Sequence, residues 1–80
     1  MSIIIQYYGA FRALGTSITL DILPPARIAD IKAALSNQLG SAHAVLIGDS
    51  VLANESDILQ DNTIINDGCT LSILPPVCGG

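Results

Sequence analysis

One stretch of the chain repeats its apolar residues at helical spacing, and a proline pair stands just before it. Ile28, Ile31, Leu35 and Leu39 recur at three- then four-residue intervals, which lays one apolar stripe along a helix of about three turns. Pro24 and Pro25 end what precedes it, because proline fixes φ and donates no backbone hydrogen bond. Asp30 falls in the first turn, where the helix dipole favours an anion, and Gly40 supplies a stop. A single stripe cannot bury itself, so the rest of the chain must provide a layer for it to pack on.

The flanking segments read as that layer. "SIIIQYY" (2–8) is rich in β-branched and aromatic residues and reads as a strand buried on both faces. "GAFRALG" (9–15) reads as a turn, and "TSITLDI" (16–22) alternates Ile18, Leu20 and Ile22 with Thr19 and Asp21, the period of a strand with one wet face. Beyond the helix, "AVLIG" (44–48) reads as a strand, "SVLANES" (50–56) as a short strand and turn, "DNTIINDG" (61–68) as a loop, and "CTLSIL" (69–74) as the last strand. Strands on both sides of one helix make a two-layer α+β domain. In the last strand Cys69 shares a face with Leu71 and Ile73, which casts it as a small core residue rather than a reactive thiol.

Charge excludes several functions. Half of the residues are hydrophobic and 12% are charged, so the chain folds rather than staying disordered, and some apolar surface is left for a partner. Arg12, Arg27 and Lys32 are its only lysines and arginines, and the net charge is -4, which gives no footprint for nucleic acid. No apolar run reaches the span of a bilayer, and the N-terminal residues lack the pattern of a signal peptide, so no membrane association is expected and the location is expected to be cytoplasmic. Two cysteines, Cys69 and Cys78, and one histidine, His43, fall short of a structural zinc site, and no disulfide is expected if residues 69–78 are extended, which would set the two Cα atoms up to about 30 Å apart. His43 reads as a surface residue, and no carboxylate pair has acid–base spacing.

Function is therefore sought in the ending, "LPPVCGG". A Gly-Gly terminus arises by chance in only roughly 0.5% of chains at average glycine usage. Pro75 and Pro76 hold the arm leaving Leu74 extended, and residues 75–80 could reach at most about 20 Å beyond the domain. Gly79 and Gly80 carry no Cβ, so they could enter a narrow channel and present a bare carboxylate. A carboxylate on a thin, stiff arm suits ATP-dependent activation, in which its oxygen attacks the α-phosphate and a sulfur nucleophile displaces the resulting acyl-adenylate.

"LPPVCGG" resembles the C-terminus of the MoaD/ThiS sulfur carriers, ubiquitin-like proteins that end in Gly-Gly, and its Pro-Pro-Val-x-Gly-Gly form is closest to the small subunit of molybdopterin synthase (MoaD). "YYGAFRALG" occupies the place of the family's aromatic segment and Arg-bearing turn, with Arg12 at its arginine; "LANES" and "INDG" also match. The resemblance implies a β-grasp fold, a mixed sheet packed on one main helix, over residues 1–74, with an extended tail at 75–80. It implies no bound cofactor. An E1-like adenylating enzyme of the MoaB/MoeB type would use ATP to activate Gly80, a persulfide donor would convert it to a thiocarboxylate, and a MoaE-like large subunit would pass the sulfur to a pterin precursor in molybdenum cofactor synthesis. The chain itself would be non-catalytic. Gly79 would give clearance, and Pro75, Pro76, Val77 and Cys78 would position the arm. Leu74, Phe11 and Arg12 are the expected partner contacts. Ala13, where the family commonly has Glu, and Cys69-Thr70, in place of an acidic pair, remove charge from the docking surfaces that the resemblance implies. Cys78 reads as a small residue accepted in the arm, although a thiol there could capture the acyl group. A carrier for another sulfur pathway, a ubiquitin-like modifier conjugated through Gly80, and a purely structural interaction domain remain as alternatives.

Overall fold

In the computed structural model, which describes residues 1–76, the isoleucine run forms β1 (Ser2–Tyr7), with Ile3, Ile5 and Tyr7 buried and Ser2, Ile4 and Gln6 outside. This corrects the expectation of two buried faces. The main helix covers one side of the sheet only, and Ile4 keeps 37% of its surface. β-Branched residues signal a strand without saying how many of its faces are covered. A 3-10 helix, Gly9–Leu14, makes the turn and drops Phe11 into the core. β2 (Ser17–Asp21) returns antiparallel, with Ile18 opposite Ile5 and Leu20 opposite Ile3. At the open end of this hairpin the Met1 ammonium donates to the Ile22 carbonyl at 2.9 Å, and the Ile22 N–H donates to the Met1 carbonyl at 3.0 Å.

β3 (Ala26–Arg27) leads straight into α1 (Ile28–Leu39). Ile28, Ile31 and Leu35 are fully buried and Leu39 packs at the rim, as the stripe predicts. The first N–H groups of a helix have no partner within it. Here the Arg27 N–H donates to the Asp30 carboxylate at 2.9 Å, while those of Ile28 and Ala29 donate to the carbonyls of Thr63 and Asp61, each at 3.0 Å. Gly40 closes the other end at φ 95°, a backbone conformation that favours glycine.

After a 3-10 turn at Ser41–His43, the segment expected as a third strand is instead α2 (Ala44–Asp49). Only Ile47 in it is fully buried, and Val45 is 78% exposed. One inward residue fits a helical turn docked beside α1, and a five-residue apolar run does not by itself distinguish helix from strand. Ser50, which follows, is buried, and its hydroxyl donates to the Ile47 carbonyl.

The chain then forms β4 (Val51–Ala53), β5 (Ile58–Leu59), β6 (Ile64–Ile65) and β7 (Cys69–Leu74). β6 pairs with β3 in a separate two-stranded sheet, so the 61–68 stretch, expected as a loop, contains a strand. Two residues are too few to show a period. The main sheet runs β2-β1-β7-β4-β5, with β7 parallel to β1 (Leu71 opposite Ile5) and antiparallel to β4 (Ile73 opposite Leu52). Ile3, Ile5, Leu71, Ile73 and Leu52 from the sheet share one core with Ile28, Ile31 and Leu35 from α1. This is the α+β arrangement of a mixed sheet on one main helix.

Candidate functional site at the base of the tail

β7 lies at the centre of the sheet, so the tail leaves the domain beside the end of β1 rather than from an edge. Its first residue, Pro75, rests on Gly9. A Cβ built on Gly9 would lie 2.7 Å from Pro75 Cγ and 2.9 Å from Cδ, and Gly9 has φ 57°. Both the contact and the backbone conformation therefore call for glycine here. Leu74, Pro75 and Pro76 are each half-buried. Leu74 pairs with Val51 and points away from Leu71 and Ile73, as the strand period predicts.

Beside this seat Arg12 is exposed, with its guanidinium 5.5 Å from the centroid of the Tyr8 ring. A cation held over an aromatic face at that distance is attracted by the ring quadrupole. The Tyr8 hydroxyl donates to Gln6 Oε1 at 3.4 Å, and a shallow depression runs between Tyr8, Arg12, Gln6, Thr16 and Ser17. The five strands of the main sheet carry a single charged residue, Asp21.

Phe11 is corrected. It has no exposed surface and belongs to the core, so it is not a partner contact in this fold. The 3-10 turn rotates Phe11 inward and leaves the adjacent Arg12 in solvent, a division that the reading of "GAFRALG" as a simple turn did not resolve. Val77, Cys78, Gly79 and Gly80 lie outside the described residues, and so does the separation of Cys69 from Cys78.

Asn54 and Cys69 have structural places. Asn54, in the "LANES" turn, accepts from the N–H groups of Ser56 and Asp57 at 2.9 and 2.7 Å through its side-chain oxygen. Cys69 packs against the core, and burial raises the pKa of its thiol, which disfavours the reactive thiolate. His43 is half-buried at the start of α2. Among the described residues no three His, Cys, Asp or Glu side chains group as a metal site would need, and no helix is long and apolar enough to cross a membrane. Sequence reasoning missed Gly9 as the seat of the tail and Tyr8 as the platform for Arg12. The two lie within one quoted segment, but nothing in their order shows that residue 75 returns to them.

No curated protein sequence matches the chain. Among solved structures it is similar in fold to SAMP1 from Haloferax volcanii, with a TM-score of 0.73, 15% identity and 100% of both chains covered. That neighbour supports a ubiquitin-like β-grasp, and the model of the ThiS family matches residues 5–80, from β1 through the final glycine. With its domain and its Gly-Gly ending both inside that match, the chain belongs to the ThiS family of ubiquitin-like sulfur carriers.

Proposed function

We propose that this protein carries sulfur on Gly80 and serves as the small subunit of molybdopterin synthase. The observation that carries the sulfur-carrier part of this reading is the ThiS family match, which runs through residue 80 and so includes the tail that follows Pro75 and its seat on Gly9. The Gly80 carboxylate attacks the α-phosphorus of ATP in an E1-like activating enzyme, releasing pyrophosphate. A persulfide sulfur then displaces AMP, and cleavage of the resulting acyl disulfide by a thiol leaves the thiocarboxylate. The absence of a Cβ at Gly79 and Gly80 gives the passage clearance. Pro75, Pro76 and Val77 aim the arm, with Cys78 as a small residue within it. Leu74 and Arg12, at its base, face the activating enzyme and a MoaE-like large subunit, which supplies the pocket for the pterin precursor. The Pro-Pro-Val segment favours this pathway over thiazole synthesis.

The test is the intact mass of the protein after incubation with ATP, an E1-like enzyme and a persulfide donor. Replacement of one oxygen by sulfur at Gly80, dependent on ATP, is expected, followed by discharge onto the pterin precursor with the large subunit. An unchanged mass with a partner proven on a control carrier would overturn the sulfur role. High-mass conjugates that vanish on deletion of Gly80 would favour protein modification instead.

A further inference from the structure

An activated C-terminus is an acylating agent, and a second copy of the carrier is one source of amines that could meet it. Lys32 is the only lysine among the 80 residues. It sits in α1 with its side chain 12% exposed, and its Nζ donates to the Ser50 carbonyl at 2.8 Å and to Asp61 Oδ1 at 2.9 Å. These acceptors come from two other parts of the chain, the end of α2 and the segment that caps α1. The ammonium thereby joins three elements.

We propose that Lys32 is withheld from acylation, so that the protein acts as a donor only and does not link Gly80 of one copy to Lys32 of another. The inference rests on the reading of Gly80 as an activated terminus. In the reaction that is prevented, Nζ would attack the carbonyl carbon of the Gly80 acyl-adenylate. The ammonium would first give one proton to solvent to free its lone pair. The C–N bond would then form, the C–O bond to AMP would break with AMP leaving, and a second proton would pass from the nitrogen to the departing phosphate or solvent. To attack, Nζ must leave both acceptors, and its butyl stem must come out of contact with the fold. Losing hydrogen bonds to a charged donor disfavours that opening. The other amine, at Met1, is also engaged, by the Ile22 carbonyl at 2.9 Å and by Asp21 at 3.6 Å. Any protein that receives Gly80 on one of its lysines thus gains a single copy at that position rather than a Lys32-linked chain.

The test is a brief pulse of an acetylating N-hydroxysuccinimide ester on the full chain, folded and in urea, with Lys32 read by peptide mapping against a free lysine derivative in each solvent. Acetylation at least roughly tenfold slower in the folded protein is expected. Equal normalised rates would overturn the proposal. Asp61→Ala keeps the backbone carbonyl that receives the Ala29 N–H, so the cap of α1 remains. It is expected to raise the folded-state rate severalfold, and an unchanged rate would overturn the role given to Asp61. With an activating enzyme and ATP, a Gly80–Lys32 isopeptide in the peptide map would also overturn the proposal. Pyrophosphate exchange is read separately. Its absence would count against the Gly80 reading while the acetylation result on Lys32 would stand.

Discussion

At Gly9 two requirements meet in one residue. A side chain there would collide with Pro75 and would have to adopt φ 57°, so Gly9→Ala must either shift the 3-10 turn or lift the tail off its seat. A non-glycine residue held in the left-handed region costs about 1 kcal/mol before any clash is counted. The expected outcome is a loss of roughly 1–3 kcal/mol in denaturant unfolding, together with a lower kcat/KM for ATP-dependent activation of Gly80. Wild-type activation kinetics in Gly9→Ala would show that the seat does not aim the arm. The glycine itself was visible in "YYGAF", and so was the proline pair. Their meeting was not, because it joins positions 9 and 75 through the central pairing of β1 and β7. The same limit separates Phe11 from Arg12. Adjacent residues with opposite fates are legible only once the turn is known to be helical.

Elements with a long or regular period were legible: α1 from its stripe and β2 from its alternation. β7 was legible in "CTLSIL", where Cys69, Leu71 and Ile73 share a face. Short elements were not. β6 is two residues long, and α2 has one fully buried residue, so each takes its form from what it docks against rather than from its own pattern. Loops held by side chains fall between these cases. The Asn54 side chain accepts two backbone N–H groups, an arrangement in which a short polar side chain replaces a backbone partner. Asn54→Ala should cost about 1 kcal/mol in thermal or urea unfolding, and Asn54→Asp, which keeps the acceptor, should recover most of it. Equal losses in both variants would remove the turn from the list of stabilising features.

Over the whole molecule, a domain of this length has a total stability of roughly 4–12 kcal/mol. Truncating a fully buried phenylalanine costs about 3–5 kcal/mol, so Phe11→Ala should consume much of that margin and show a large fall in the unfolding midpoint. Arg12→Ala, one residue on and in solvent, should stay within about 1 kcal/mol of the wild type while weakening association with the partner. A wild-type midpoint for Phe11→Ala would overturn its place in the core. The sheet order carries a consequence for synthesis as well. Its middle strand, β7, is the last one made, and both β1 and β4 wait for it. A ribosome-bound or prematurely terminated chain that lacks residues 69–74 leaves one edge of β1 and one edge of β4 without a partner and the core open, and such a product is a substrate for proteases. Completing the fold therefore doubles as a check on translation: the domain closes only after synthesis has passed residue 74.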